Sequence, residues 1–384
     1  MSNTLSNTQD TTIELPDNFF EDYWQHKPCV LRQATSWRPE ITAEELAGIA
    51  CEADADARLI FEENWTLEEG PFTAERFASL PASHWTLVVQ AVDQWDEQVA
   101  QLKSALPQIP QWRLDDIMVT YAVDQGSVGP HYDHYDVFLV QGQGQRLWRL
   151  GPKYNEQTKL LEHEDLLLIQ DMIIEDEYLL EAGDILYIPP QYTHWGIAQG
   201  ECLTFSIGFR APSYSEAMDS IATHAMSQLQ PNQRVEDPPN SIDPQRQQPI
   251  AQIHPAVIAD LRQALLEQIT DKAIAQWLGG VVTLPRTPQE VTYTIDQTQL
   301  KTLLEDSSLI RNPGSRFAFY VSSNTNILVF IDGYATEMAI ANQAWVEWLC
   351  TFDNLLASDY AQMNDESQAL ILHLVETQSL IFAD

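Results

Sequence analysis

His131 and Asp133 stand two residues apart in the stretch Gly129-Pro130-His131-Tyr132-Asp133-His134-Tyr135-Asp136-Val137-Phe138-Leu139-Val140. In an extended strand, side chains at i and i+2 leave the same face, so this pair can reach one ion. Imidazole and carboxylate are two members of the 2-His-1-carboxylate set that holds non-haem Fe(II) and leaves positions open for chemistry. The third ligand must then be a histidine from elsewhere. The candidate is His194, which Gly183-Asp184, an apolar strand and the Pro189-Pro190 corner place at the end of a strand. A structural histidine beside Trp195 is the alternative. A His-x-Asp triplet also arises by chance, and His134-Tyr135-Asp136 is a second copy in the opposite register. The first copy is preferred because Gly129-Pro130 delivers it at a strand start. His134 and Asp136 would share a face with Phe138 and Val140, and His134 stays a competitor for metal. His26, His84, His224, His254 and His373 lack a second ligand at strand spacing, and they and His163 fall in helical, loop or uncertain contexts.

A ferrous site with three protein ligands needs an organic reductant to activate dioxygen. 2-Oxoglutarate can chelate the iron through its keto acid, and its far carboxylate needs a cation. Arg146 follows the Gly142/Gly144 turn and shares a strand face with Trp148 and Leu150. A guanidinium on an apolar face is costly unless paired, and its fork suits a carboxylate. A structural ion pair would satisfy it equally well.

These groups need strands to hold them. Between 112 and 210 the pattern predicts strands at Ile117–Tyr121, Asp133–Val140, Arg146–Leu150, Ile185–Ile188 and Leu203–Phe209, with glycine turns between them. That pattern argues for a sandwich or barrel. Upstream, Phe19–Trp24 reads as an aromatic-anchored helix, and Thr42 with Glu45 as a capping box. Leu59–Phe61 and Trp85–Val89 read as strands around a short helix near Ala74, and Gln94–Leu106 as a helix. Downstream come a helix over Tyr214–Leu229 and a loop holding Pro231, Pro238, Pro239, Pro244 and Pro249. One long helix from about Pro255 to Leu278 then stops at Gly279-Gly280. Its apolar set, Val257, Ile258, Leu261, Leu265, Ile269 and Ile274, packs either within the chain or against a second copy. Phe317–Val321 and Ile327–Ile331 flank a hairpin turn, and helices around Leu300 and at Trp345–Leu356 complete a winged-helix-like pattern.

The 384 residues allow two or three domains, and no apolar run approaches a membrane span. The first residues lack a basic region followed by an apolar one, which points to the cytoplasm. Four scattered cysteines without a C-x-x-C pair argue against a disulfide scaffold or structural zinc. Acidic residues outnumber basic ones 56 to 20, for a net charge of −36. Nucleic acid and anionic membrane are thereby poor partners, and a basic protein a better one. Solubility or the host's salt regime accounts for the charge equally well. After residue 285 the only Lys/Arg are Arg286, Lys301, Arg311 and Arg316, too few for a phosphate-binding surface.

Gly129-Pro130-His131-x-Asp133 with Tyr135-Asp136-Val137-Phe138, the Gly142/Gly144 turn, Arg146, Trp148-Arg149, and Ile188-Pro189-Pro190 before His194 together resemble the Jumonji-C ribosomal oxygenases. Trp112–Met118 and Ser206–Pro212 are similar to the bacterial branch of that family, and the likeness is specific over about residues 15 to 215. The resemblance implies an α+β chain with a double-stranded β-helix (Jumonji-C/cupin) core, then a helical dimerisation region and a winged-helix-like domain. The boundaries expected are 1–14 for a flexible start, 15–212, 213–284 and 285–384. It further implies an Fe(II)- and 2-oxoglutarate-dependent, dioxygen-consuming protein hydroxylase acting on an arginine of large-subunit ribosomal protein sixteen. His131, Asp133 and His194 would ligate iron, Arg146 would anchor 2-oxoglutarate, and Asp116, Met118, Tyr135 and Ser206 would line the substrate pocket. Asp116, Met118 and Thr120 share one strand face, and a carboxylate, a thioether and an aromatic ring suit an arginine. Histidine hydroxylation of another ribosomal protein, and a metal-free acidic scaffold for basic proteins, stay open as alternatives. Lysine demethylation is disfavoured, since no histone-reading module is visible.

Overall fold

The computed structural model describes residues 11–162, 166–210, 212–230, 232, 234–238, 241, 242, 245, 249, 251–286, 294–352 and 354–383. The first ten residues of the expected flexible start, His163, and Pro231, Pro239 and Pro244 of the proline loop lie outside them. The chain forms two compact units, Met1–Ala211 and Pro212–Asp384.

The first unit runs α1 (Phe19–Asp22), β1 (Cys29–Leu31), α2 (Ala43–Ile49), β2 (Ala57–Phe61), β3 (Thr66–Glu69), α3 (Ala74–Ala78), β4 (Trp85–Val89), α4 (Glu97–Gln101), β5 (Leu114–Ala122), β6 (Val137–Lys153), β7 (Asp176–Glu181), β8 (Ile185–Ile188) and β9 (Tyr192–Phe209). Helix α2 begins on the predicted capping box: Glu45 N–H donates to Thr42 Oγ1 at 3.2 Å, and Thr42 N–H to Glu45 Oε2 at 2.8 Å. The single helix expected over Gln94–Leu106 is instead three short turns. Asp96 caps α4 by accepting from Val99 N–H, and Asp93 turns inward to accept from Ile117 N–H and pair with Lys103. These side-chain bonds compete with a continuous helical ladder.

Among the described residues, β1 to β9 join one antiparallel sheet in the order β1-β8-β6-β9-β5-β4-β2-β3, with β7 added to β6. Strands β6 and β9 pair from Val137–Gly208 to Lys153–Tyr192. Gly142 and Gly144 do not separate two strands, as the glycine signal suggested. They sit in bulges that bend one 17-residue strand. The near half of β6 pairs with β8 and the far half with β7, so the sheet folds over itself as a double-stranded β-helix. Alternation then sorts the side chains. Phe138, Val140, Ile185, Tyr187, Phe205, Ile207 and Phe209 face a core closed by Phe19, Trp37, Leu46 and Val99. Val137, Leu139, Trp148, Leu150, Leu180 and Ile188 fill the interior between the two halves. Arg146 and His194 lie beside Trp148 on that inner face.

The second unit contains α5 (Tyr214–Gln228), α6 (Pro255–Leu266), α7 (Asp271–Thr283), α8 (Gln297–Asp306), β10 (Leu309–Arg311), β11 (Phe317–Val321), β12 (Asn326–Ile331), β13 (Tyr334–Ala339), α9 (Gln343–Leu349), α10 (Ala357–Gln362), α11 (Asp365–Glu376) and β14 (Leu380–Phe382). The predicted hairpin is β11–β12, with Phe317 opposite Ile331. The long helix expected from Pro255 is two helices, because Thr270 Oγ1 accepts from Ala273 N–H and starts α7 afresh. Gly279-Gly280 is inside α7 rather than a stop, and Gly279 presses on Phe330. Likewise, the helix expected over Trp345–Leu356 ends at Leu349, and α10 follows. Helix α6 buries none of its side chains, so Ile258, Leu261, Leu265 and Leu266 stay at the surface.

Candidate metal centre

His131 and His194 meet as a cross-strand pair. His131 N–H donates to His194 C=O at 3.0 Å and the reverse bond is 2.9 Å, an antiparallel bridge just outside β6. Their rings are 4.2 Å apart, centroid to centroid. Asp133 is not on a strand with His131, contrary to the i, i+2 argument. β6 starts only at Val137, and the loop is held by Gln191 N–H donating to Asp133 C=O at 2.6 Å. His194 is the third residue of β9, not the end of the preceding strand. The outcome is still one cluster: ligand atoms of His131, Asp133 and His194 all lie within 4.8 Å of one another.

The ring orientations suit a metal. His131 Nδ1 donates to Gly129 C=O and His194 Nδ1 to Tyr192 C=O, each at 2.9 Å. Carbonyls only accept, so the proton is on Nδ1 and both Nε2 lone pairs are left for an ion. Burial and then the neighbouring His131 push the His194 imidazole down to about 4, against the pull of Asp133, so it is neutral at pH 7. Gly129 takes the left-handed conformation at φ 86°, and a Cβ there would strike Leu168 at 2.5 Å. Its N–H donates to Ser127 Oγ, which also accepts from Trp195 Nε1. That fixes the approach to His131.

Arg146 is 2% exposed and lies on the inner face, its guanidinium 5.1 Å from the Trp148 ring. Gly196 makes room for it, since a Cβ there would be 2.7 Å from Arg146 Nε. Its contacts are weak: Thr204 Oγ1 and Gly196 C=O, both at 3.5 Å, while Nε has no partner. No carboxylate pairs with it among the described residues, so the structural ion pair is absent. Burial pulls its pKa down, yet a guanidinium stays charged. A buried cation of this kind calls for an anion. A three-ligand cluster and a lone interior arginine therefore fit a metal and a small dicarboxylate.

His134 is exposed against the Tyr132 ring, away from the cluster. Asp136 is fully buried on the other side, accepting from Tyr187 Oη at 2.6 Å, Arg113 Nη2 at 2.8 Å and Gln25 Nε2 at 3.1 Å. The second His-x-Asp copy is thus split, and its aspartate anchors the loop. Asp116 and Met118 share the inner face of β5, Met118 stands opposite Ser206 of β9, and Tyr135 projects from the loop. Tyr135 hydrogen-bonds Asp133. Loss of hydration, then the Asp133 and Asp116 charges, push its phenol up, so it is protonated. The sequence reading missed Gly196, Thr204 and the Arg113–Asp136–Tyr187 group. Only Gly196, two residues after His194, carried a local signal.

A model described as a JmjC domain matches residues 101–217, and one described as a ROXA-like winged helix matches 259–380. A third, an AraC-like ligand binding domain, matches 172–278 and straddles the boundary between the two units. The chain is 36% identical over 316 residues to the ribosomal protein uL16 3-hydroxylase of Escherichia coli K12, spanning 79% of this chain and 82% of that protein. It is 40% identical over 216 residues to a probable ribosomal oxygenase of Haemophilus influenzae, spanning 54% of this chain and 52% of that protein. A crystal structure of E. coli YcfD superposes with a TM-score of 0.83 at 30% identity, covering 97% of this chain and 99% of that one. A structure of the ribosomal oxygenase YcfD in complex with cobalt and 2-oxoglutarate gives a TM-score of 0.79 at 29% identity over the same shares. With the inner-face cluster, these likenesses over most of the chain make this protein a member of the JmjC-domain ribosomal oxygenase family.

Proposed function

We propose that this protein hydroxylates an arginine side chain of large-subunit ribosomal protein uL16, using Fe(II), 2-oxoglutarate and dioxygen. The observation that carries the reading is the pairing of the His131–Asp133–His194 cluster with Arg146, a buried cation lacking any acid partner among the described residues. Fe(II) with 2-oxoglutarate supplies the oxidation: the keto acid and the target C–H bond together give four electrons to O2, yielding succinate, carbon dioxide and the alcohol.

The chain's own part is placement. His131, Asp133 and His194 would hold the metal, with the tautomers of the two histidines set by Gly129 and Tyr192. Arg146 takes the far carboxylate of 2-oxoglutarate, with Thr204 beside it. Trp148, Leu150 and Leu180 keep that end dry. Asp116, Met118, Tyr135 and Ser206 receive the substrate side chain, and the carboxylate favours a cation over a neutral imidazole. Asp116→Ala should therefore cost an arginine-reading enzyme far more than a histidine-reading one. The exposed apolar side of α6, within residues 213–284, pairs two copies of the chain. A single monomeric species in sedimentation at all concentrations would remove that element. The site of action is the cytoplasm, where ribosomal proteins are made. No helix among the described residues is long and apolar enough to cross a membrane.

The test is the intact mass of a uL16 peptide incubated with protein, Fe(II), ascorbate and 2-oxoglutarate under air. One added oxygen on an arginine, abolished by His131→Ala or by omitting 2-oxoglutarate, is the expected result. Succinate formed without any mass shift would keep the oxygenase and reject the substrate. Neither iron nor turnover would leave an acidic scaffold.

A further inference from the structure

Gly208 of β9 lies where Asp116 and Tyr135 converge. A Cβ built on it would be 3.7 Å from Asp116 Oδ1, 3.8 Å from Asp116 C=O and 3.9 Å from Tyr135 Cε2, the nearest atoms beyond its chain neighbours. Its backbone is not left-handed either. The other glycines of β6 and β9 differ, Gly200 by its left-handed backbone and the rest by lack of room. A Cβ at Gly142, Gly144, Gly151 or Gly196 would fall between 2.1 and 2.7 Å from an existing atom, so the fold itself demands those glycines. At Gly208 the fold would accept a methyl group. A glycine in a strand interior weakens the strand relative to alanine, and it often marks a place that another molecule approaches closely.

The strand pairing explains what that space is between. Ile117 stands opposite Ile207 and Leu114 opposite Phe209, so two residues of β5, Asp115 and Asp116, face the single Gly208. Such a bulge re-aims side chains. Asp115 turns to Arg210, whose Nε donates at 2.8 Å. Asp116 Oδ2 accepts from Ala91 N–H at 2.9 Å, which fixes the carboxylate with Oδ1 towards Gly208. The Tyr135 ring borders the same space and is partly open to solvent. A carboxylate and an aromatic ring around a methyl-sized gap select a thin, flat cation.

We propose that Gly208 is a specificity-determining residue: the side chain it lacks is the space in which the substrate's guanidinium lies between Asp116 and Tyr135. This rests on the arginine reading above. The test is Gly208→Ala, assayed with the uL16 peptide, together with Tm and Co(II) affinity from the ligand-field absorption. The expected result is a rise in peptide KM of about ten- to a hundredfold, the range for one misplaced methyl group, with Tm no lower than in the wild type and Co(II) affinity unchanged. A wild-type kcat/KM in the variant would overturn the slot and leave arginine hydroxylation standing. A loss of Co(II) affinity or of Tm matching the loss of activity would make Gly208 structural and overturn it too. Failure of the unaltered protein to hydroxylate any arginine peptide would remove both the arginine reading and the slot.

Discussion

Arg146 separates what a residue contributes to stability from what it contributes to function. As a buried guanidinium with only two 3.5 Å contacts and a bare Nε, it is a burden on the protein without ligand. Removing such a charge is often stabilising. Arg146→Met should therefore raise the stability of the ligand-free protein by about 1–3 kcal/mol. The same change should abolish the stabilisation given by 2-oxoglutarate, which for a binding ligand is about 2.7 kcal/mol at a hundred times its Kd. Thermal unfolding under argon with Mn(II), with and without 2-oxoglutarate, reads both. A destabilised variant whose Tm still rises with 2-oxoglutarate would show that the anchor is elsewhere. The arginine was legible in the sequence because a charge amid Trp148 and Leu150 contradicts its strand face. Its ion-pair alternative could be settled only in three dimensions, since the sequence offers 56 acidic side chains and does not say which of them fold against it.

Elements were legible where the signal is local and lost where it is shared between partners. The α2 capping box and the β11–β12 hairpin depend on neighbours in sequence, and both were readable. Glycine was the misleading residue, since Gly142 looks like a turn and Gly279 like a helix stop although each is a point of close approach. The metal loop shows the same limit from another side. His131 and Asp133 were paired by strand spacing, yet the bridge to His194 and the bond from Gln191 bring them together. The two adjacent glycines of α7 give a clean test. Alanine is the better helix former by about 1 kcal/mol at either position. At Gly280 only Gly333 C=O lies within 4 Å of the new Cβ, at 3.7 Å, so Gly280→Ala should be neutral or gain up to about that amount. At Gly279 the Cβ would meet the Phe330 ring at 2.4 Å, near its root, so overpacking should outweigh propensity and cost about 1–3 kcal/mol. Urea unfolding of the two variants reads the difference. Equal stabilities would mean that α7 does not rest on β12 as described.

At the scale of the whole molecule, the net charge of −36 acts with opposite sign on the two substrates of the proposed reaction. A basic ribosomal protein is drawn towards the surface, whereas the 2-oxoglutarate dianion is repelled until it reaches Arg146. Long-range terms of both signs are screened within about 30 Å at 0.01 M salt and about 10 Å at 0.1 M. Raising salt over that range should therefore lower kcat/KM for the basic peptide, by roughly tenfold if steering controls association. It should leave the KM for 2-oxoglutarate unchanged or lower it, because the pairing with Arg146 is buried and poorly screened while the repulsion outside is not. The bland alternative, that the charge serves only solubility, predicts no opposition between the two. Measuring both constants in one salt series decides it. Parallel changes in the two would assign the acidic surface to solubility, and divergent ones would make it part of substrate selection.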